Sequence, residues 1–319
     1  MSRTAQATRN THFASLCRNI YPLFLPAIFL VCFGTAPNLA QAEVLYEGDS
    51  PYHHIRVTQE GEYRYLSFDR TRGSQSVLNI NNHDELNFAY TRAMFVSLAF
   101  LDRLPEKVLF VGLGGGMMPR VFAKYLPQSV IDIAEIDPDV VRVAREFFFF
   151  TPSPRLQVAA EDGRLFLRRH QELYDLIFLD AYNDQSIPFH LTTKEFFEIV
   201  KQRLKPHGVV ASNVWSPGSN QYHFAQMKTL QMVFPRLYEV RAVGSGNHIF
   251  ISTMEKKDIT LADLERRVET VLRQVKFPFD LDEFVRTFED ITQKEVDAEI
   301  LTDDFAPVDL LRAERADGK

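Results

Sequence analysis

Two different hydrophobic patterns follow one another along the chain after its first 42 residues. Residues 44–80 contain three short segments in which apolar and polar residues alternate or β-branched and aromatic residues dominate, with turn-forming stretches between them. This pattern is typical of short strands. Residues 84–101 have helical spacing and are followed by a Leu–Pro break. The pattern predicts a small β domain with a linking helix over residues 43–100.

From residue 107 onward, strand-like and helix-like segments alternate. Seven apolar runs without clean alternation indicate strands buried on both faces, and they begin near residues 107, 129, 155, 174, 208, 236 and 247. Helical stretches separate the early ones, near residues 117–126, 138–149, 163–171, 192–204 and 219–233. A short glycine-containing link joins the last two runs, so the final strand is predicted to be antiparallel.

This order predicts a doubly wound, Rossmann-like α/β domain over residues 101–256. Its seven-stranded sheet, with an antiparallel last strand, is of the S-adenosylmethionine-dependent methyltransferase type. A helical C-terminal tail is predicted over residues 257–319.

The first 42 residues follow the order of a secretory signal peptide. Three arginines, the only charged residues before Glu43, precede an apolar run over residues 21–33, and the triplet Ala40–Gln41–Ala42 provides a small-x-small cleavage site. The run is shorter than the roughly 20 residues that a spanning helix needs. We expect cleavage after Ala42 and export to the periplasm, without stable membrane insertion afterwards; an uncleaved membrane anchor is the alternative.

Composition excludes several functions for the mature domain. Both cysteines, Cys17 and Cys32, lie in the leader, so the rest of the chain has no disulfide, no thiolate nucleophile and no cysteine-bound metal. No two histidines are spaced i, i+4, and we expect no metal. Without the leader, 33 basic and 42 acidic side chains leave a net charge of −9. This charge argues against nucleic acid as a partner and is compatible with a cationic one.

A glycine cluster follows the first strand of the α/β domain, in "VLFVGLGGGMMPR" over residues 108–120. Its glycines allow the backbone to approach a ligand closely; they are Gly112, Gly114, Gly115 and Gly116. No Gly-Lys-Ser/Thr sequence follows, so this is not a nucleoside triphosphate P-loop. Met117 occupies the third position of the G-x-G-x-x-G fingerprint, which weakens a dinucleotide assignment.

Acidic residues follow three successive strands of this domain. Glu135 stands 21 residues after Gly114, and Asp162 and Asp180 come after the third and fourth strands. Ligands of open α/β sheets bind at the carboxyl ends of the strands, with a carboxylate about 20 residues after the glycine loop placed for ribose hydroxyls. Each acid alone is equally well explained as a helix N-cap or loop residue. The three together with the glycine loop favour an adenosyl group as the ligand.

These segments resemble the spermidine synthase, or polyamine aminopropyltransferase, family. The resemblance spans roughly residues 50–255 and rests on "SPYHHIRV", "SQSVLN", "DELNFAY", the glycine loop, "EID", "EDG", the aspartate after the fourth strand and "LKPHGVV". It is closest to the bacterial spermidine-synthase-like proteins with exported or membrane-associated N-termini. In this family an amine attacks the carbon next to the sulfonium of decarboxylated S-adenosylmethionine, propylamine is transferred, and methylthioadenosine leaves.

The resemblance implies a role for each matching residue. Asp180 would be the general base that removes a proton from the attacking amine. Glu135 would bind the ribose and Asp162 the adenine. The other implied cofactor-binding residues are Gln75, Gly163 and the four loop glycines, Gly112, Gly114, Gly115 and Gly116. The implied residues for a small-molecule amine or polyamine are Tyr90, Asn183 and Asp184. The family also implies homo-oligomers and no metal.

Two carboxylates that recognise amines in the family are missing from this sequence. The family's loop carries an aspartate that holds the amino end of the propylamine group, and Gly115 stands in its place. Asn183 stands where the family has a second aspartate after the base. Two alternatives therefore stay open: a methyltransferase that uses intact S-adenosylmethionine, and a non-catalytic polyamine- or nucleoside-binding protein of the same fold.

Overall fold

The computed structural model describes residues 42–68, 73–182 and 187–305. Residues 1–41 of the predicted leader, residues 306–319 of the predicted tail and the candidates Asn183 and Asp184 lie outside these ranges. Among the helices in these ranges, none combines the length and the hydropathy of a membrane-spanning segment.

The N-terminal part forms a four-stranded antiparallel sheet whose strands pair in chain order. They are β1 (Glu43–Asp49), β2 (His54–Glu60), β3 (Tyr63–Phe68) and β4 (Ser76–Asn79). Alternating apolar residues such as Ile55, Val57 and Leu66 are fully buried, whereas Arg56 between them is exposed. The alternation in the sequence thus corresponds to one buried face. The linking segment forms α1 (Ala89–Ala93) and a buried 3-10 helix (Met94–Phe100).

The second sheet has the strand order β12-β10-β11-β9-β8-β5-β6-β7. Its strands are β5 (Lys107–Val111), β6 (Val130–Glu135), β7 (Leu156–Ala160), β8 (Tyr174–Leu179), β9 (Leu204–Trp215), β10 (Arg236–Ala242), β11 (Asn247–Thr253) and β12 (Glu289–Asp290). Neighbouring strands within the set β5 to β9 run parallel to each other, and β11 is antiparallel to both β9 and β10. The prediction of an antiparallel final strand in the α/β region is confirmed.

The sheet has eight strands where the sequence pattern predicts seven. All seven predicted strands are present, and the additional one is β12, a two-residue strand from the tail that pairs with β10 at the edge of the sheet. A two-residue strand is too short to show any period in the sequence. It forms because the tail supplies backbone partners to an otherwise open sheet edge.

Helices cover both faces of this sheet. They are α2 (Met117–Tyr125), α3 (Pro138–Phe147), α4 (Gly163–Arg169), α5 (Lys194–Gln202), α6 (His223–Val233), α7 (Leu261–Gln274) and α8 (Asp282–Val285). In β5, Val108 and Phe110 pack on the side of α2, α3 and α7, whereas Leu109 and Val111 pack on the side of α4, α5 and α6. Burial on both faces explains why these strands show no alternation.

Within residues 257–305, the predicted helical tail forms a long helix only in its first part. A capping box between Thr260 and Asp263 begins α7. Beyond α7 the chain is no longer helical, and the rings of Phe277 and Phe279 stack on each other. Both rings meet the ring of Phe95 edge-on, with centroid distances of 5.1 and 5.2 Å. The tail then continues through α8 and β12 and packs along α6, where Lys228 and Gln231 donate to its carbonyl groups.

Candidate active site

A cavity of about 660 Å³ lies at the carboxyl ends of the parallel strands. Each of β5 to β9 contributes to its wall at or just beyond its last residues, and the N-terminal sheet and α1 close another side. The size is within the range of about 300–1,000 Å³ that is usual for small-molecule sites. We therefore expect the predicted ligand-binding residues to line this cavity.

The glycine loop is shaped by left-handed backbone at three of its glycines. Gly112, Gly114 and Gly116 have φ values of 99°, 54° and 74°. The Gly112 amide donates to the Ala134 carbonyl at 2.9 Å, which joins the loop to β6. A Cβ at Gly112 would lie 2.3 Å from the carbonyl oxygen of Asp180. Glycine at 112 thus permits the contact between the loop and the end of β8.

The other end of the loop is held by the N-terminal sheet. The Ser76 hydroxyl accepts a hydrogen bond from the Gly115 amide at 2.9 Å. Gly112 and Gly114 line the cavity, whereas Gly115 and Gly116 are not among the described residues that line it. A Cβ at Gly115 would lie 2.9 Å from the Met117 sulfur and 3.0 Å from the Phe148 ring. The Met117 thioether therefore occupies the space into which a side chain at 115 would extend.

Glu135, at the end of β6, supports the loop and faces the cavity. Its Oε2 accepts from the Leu113 amide at 2.9 Å, and its Oε1 accepts from the Asp137 amide at 3.0 Å. Burial raises the pKa of Glu135, and the two amide hydrogen bonds only partly oppose this. Each carboxylate oxygen keeps a second lone pair. Because Glu135 also lines the cavity, it can accept from the hydroxyls of a ribose.

Asp162 is both a helix cap and part of the cavity wall. Its Oδ1 accepts from the Leu165 amide at 2.9 Å as the N-cap of α4, and its Oδ2 lies 2.7 Å from His190 Nε2. Burial acts to raise the pKa of Asp162, but the hydrogen bonds from His190 and the Leu165 amide outweigh it and lower the pKa. The adjacent Gly163 also lines the cavity. At neutral pH the cavity therefore has a carboxylate at this point.

The tail supports the Asp162 side of the cavity through an arginine. Arg164 donates to the His190 carbonyl at 3.1 Å and forms a bidentate ion pair with Asp303 at 2.7 and 2.5 Å. The Thr193 hydroxyl donates to the same carboxylate at 2.8 Å. Paired hydrogen bonds of this kind set both distance and orientation. Arg164 and Asp303, which are 139 residues apart in the sequence, thereby hold His190 beside Asp162.

Asp180, directly after β8, is a buried carboxylate in the cavity wall. Asn213 Nδ2 donates to its Oδ1 at 2.8 Å, and the Tyr90 hydroxyl is its second hydrogen-bonding partner. Burial raises the pKa of Asp180 to about 7, although both hydrogen bonds act to lower it. Among the described residues, no cationic side chain contributes to this shift. Such a carboxylate is a much stronger base than an ordinary aspartate and is still substantially ionised at neutral pH.

Aromatic side chains and amides form the wall next to Asp180. The rings of Tyr182 and Trp215 are stacked with centroids 5.2 Å apart, and the Tyr182 hydroxyl donates to the Asn213 carbonyl at 2.7 Å. Asn247 Nδ2 donates to Asn213 Oδ1 at 2.9 Å, which orients the amide that bonds Asp180. Stacked aromatic faces beside a carboxylate suit a cationic amine.

The structure brings most of the predicted site residues together at this cavity. Those that line it are Gln75, Tyr90, Gly112, Gly114, Glu135, Asp162, Gly163 and Asp180. Asn183 and Asp184 lie outside the described residues.

Sequence reasoning missed four polar residues of this site. Asn213 is two residues from the end of β9, so the rule used for the acidic residues at strand ends would have found it. Ser76, His190 and Asn247 have no such signal, because loop packing and long-range contacts place them.

Comparison with known proteins agrees with this geometry. Residues 87–263 match the model of the spermine/spermidine synthase domain. A polyamine aminopropyltransferase of Vibrio vulnificus is 32% identical over 296 residues, which cover 89% of this chain and 96% of the relative.

Two solved structures are also similar. A probable spermidine synthase from Corynebacterium glutamicum has a TM-score of 0.64 at 20% identity, covering 82% of this chain and 98% of that chain. Human methyltransferase-like protein 13 in complex with SAH has a TM-score of 0.56 at 28% identity, covering 60% and 94%. The bacterial structure, at 20% identity, shows the fold alone. Because the family model spans more than half of the chain and the Vibrio relative matches over nearly its whole length, the chain belongs to the spermine/spermidine synthase family.

Proposed function

We propose that the protein is a polyamine aminopropyltransferase, which moves propylamine from decarboxylated S-adenosylmethionine to an amine acceptor such as putrescine. The observation that carries the proposal is Asp180, a buried carboxylate with a pKa of about 7 at the meeting point of the glycine loop and the aromatic wall. A displacement by an amine needs a base at such a point.

The cavity offers separate surfaces for the two substrates. Glu135 and Asp162, with Gly112 and Gly114 beside them, would hold the adenosyl part through carboxylate oxygens and closely approaching backbone. The wall formed by the stacked Tyr182 and Trp215 rings would hold the acceptor amine next to Asp180. The overall negative charge of the chain also favours a cationic acceptor.

In the proposed reaction, the lone pair of the neutral acceptor nitrogen attacks the propyl carbon bonded to sulfur. The carbon–sulfur bond breaks with its electron pair going to sulfur, which becomes the neutral thioether of methylthioadenosine. The Asp180 carboxylate takes the proton that the nitrogen must lose. Asn213 and Tyr90 hold the carboxylate in position, since both donate to it.

Methyl transfer from intact S-adenosylmethionine is the second candidate. It is favoured by the Gly115 backbone, which has no acidic side chain to hold a propylamine group and no room for one beside Met117. The similarity to the human methyltransferase-like protein also supports this second candidate. Under this hypothesis the cavity would favour S-adenosylhomocysteine over methylthioadenosine.

Calorimetric titration of the purified mature protein with the two reaction products distinguishes these candidates. Preferential binding of methylthioadenosine supports aminopropyl transfer, and preferential binding of S-adenosylhomocysteine supports methyl transfer. If neither binds but spermidine does, both enzymatic proposals fail in favour of a polyamine-binding protein. Chromatography of spermidine formed from decarboxylated S-adenosylmethionine and putrescine measures the reaction directly. Asp180→Asn should slow it by about 10²–10⁴-fold. Asp132→Asn, which changes a side chain paired with Lys107 outside the cavity, should leave the rate unchanged.

We also propose that the chain is one of the exported members of this family, with a periplasmic mature domain. The proposal rests on the arginines, the apolar run and the Ala40–Gln41–Ala42 triplet of residues 1–42. A fusion of these residues to a reporter that is active only outside the cytoplasm tests it. Reporter activity supports export, and a reporter that stays inactive while the fusion accumulates in the cytoplasm contradicts it.

A further inference from the structure

Two histidines and a glutamate converge on the hairpin that ends the large sheet. His223 begins α6, Glu239 lies on β10 and His248 lies on β11. One donor atom from each residue lies within 4.8 Å of the other two. Glu239 and His248 share a face of the hairpin, because His248 is opposite Arg241, two residues from Glu239. None of the three lines the cavity described above.

The hydrogen bond of His223 determines which of its nitrogens is free. Its Nδ1 lies 2.9 Å from the Trp215 carbonyl oxygen, and since a carbonyl only accepts, Nδ1 carries the proton. With the proton on Nδ1, the Nε2 of a neutral His223 ring presents a lone pair. That nitrogen faces Glu239 Oε1 at 3.7 Å, beyond hydrogen-bonding distance. Two electron-pair donors thus face each other at side chains that are 2% and 4% exposed.

We propose that His223, Glu239 and His248 bind a divalent transition-metal ion such as Zn²⁺. Two imidazoles and a carboxylate are a donor set that zinc accepts, with a water molecule as fourth ligand. An Nδ1–H donated to a backbone carbonyl, as in His223, is the usual way in which a ligating imidazole is oriented. His248 is 16% exposed, so an ion and its water have access from that side.

The distances fit an ion after a small local change. Tetrahedral zinc holds its N and O ligands about 3.3 Å apart. The His223–Glu239 separation of 3.7 Å is close to this, whereas His248 Nδ1 lies 2.5 Å from Glu239 Oε1 as a direct hydrogen bond. Binding would replace that hydrogen bond and widen the pair by roughly 0.8 Å, given this ligand spacing. Rotation of the partly exposed His248 ring provides the movement.

Lys294 is the cation whose charge acts against this site. Its positive charge acts electrostatically on both His223 and Glu239. The Lys294 ammonium group is paired at 2.8 Å with the carboxylate of Glu289, which lies opposite Glu239 in the sheet. This ion pair offsets part of the Lys294 charge. Removal of this charge should therefore strengthen binding of a divalent cation.

Calorimetric titration of the untagged mature protein with Zn²⁺ tests the proposal. We expect one ion per chain, with affinity at least about tenfold weaker in His248→Gln and in Glu239→Gln. His170→Gln changes an exposed histidine beside Glu161 and serves as the matched control, with unchanged affinity. Lys294→Met should bind more tightly than the wild type. Circular dichroism of each variant verifies that it is folded.

The visible absorption bands of tetrahedral Co²⁺ provide a second measurement on the wild-type protein, so the test does not depend on the variants alone. Strong d–d bands at one equivalent, lost in His248→Gln, support the site. Failure of the wild type to bind either ion overturns the proposal. Equal binding in the wild type, His248→Gln and Glu239→Gln also overturns it, since it shows an adventitious ion only.

Discussion

Replacement of Asp180 by asparagine tests the electrostatic description of the site most directly. The pKa of Asp180 is raised from an ordinary 3.8 to about 7 because the carboxylate is buried. The folded protein therefore holds a proton that the unfolded chain releases between about pH 4 and pH 7. Stability is lost as the pH rises through this window, and the full penalty applies above pH 7.

The magnitude follows from the size of the pKa shift. One pKa unit corresponds to about 1.36 kcal/mol, so a shift of roughly three units costs about 4 kcal/mol of unfolding free energy at pH 8. Asparagine has nearly the same shape and no charge. We expect Asp180→Asn to be more stable than the wild type by up to about 4 kcal/mol at pH 8 and by less than about 2 kcal/mol at pH 5. The same change should lower the turnover by about 10²–10⁴-fold, because the general base is lost.

Urea unfolding of the wild type and Asp180→Asn at pH 5, 6, 7 and 8 measures the difference. Asp162→Asn is the matched control, since hydrogen bonds lower the pKa of Asp162 and its charged form stabilises the fold. That variant should lose stability at pH 8, where Asp180→Asn gains it. A destabilised Asp180→Asn at pH 8, or a gain that does not shrink toward pH 5, would refute the assignment of a buried and weakly compensated charge.

Three further predictions concern the same loop and base. The value of kcat/KM, measured from methylthioadenosine release, should rise with pH and level off above about pH 7 as Asp180 ionises; a pH-independent rate from 5 to 8 would contradict this. Gly112→Ala should destabilise the fold by about 2 kcal/mol or more in thermal unfolding, because its Cβ would meet the Asp180 carbonyl at positive φ. Gly73→Ala, with open space around it, should be neutral, and equal effects of the two changes would argue against the close contact. Gly115→Asp should weaken methylthioadenosine binding in calorimetry unless Met117→Gly is added, since the Met117 thioether fills the space; an undisturbed single variant would show that the thioether gives way freely.

Much of the fold and part of the site follow from local patterns. Strands buried on both faces, the hairpin at the end of the sheet and the glycine loop each leave a short-range signal in composition or spacing. Glu135, Asp162 and Asp180 reach one cavity because the carboxyl ends of parallel strands share an edge. This convergence depends only on strand order, so a sequence that specifies the strands also specifies where these acids meet.

Tertiary packing decided what each acid can do there. Glu135 supports the glycine loop, Asp162 is paired with His190, and Asp180 is buried against Asn213. These partners lie from 22 to 33 residues away along the chain, and no periodic pattern links them. The same applies to His223, whose apposition with Glu239 and His248 comes from the packing of α6 on the β10–β11 hairpin. The fold class and the edge of the sheet that carries the acids thus follow from the sequence alone, because both depend on local periodicity. Protonation states and side-chain partners depend on burial and on long-range contacts, which only the folded structure defines.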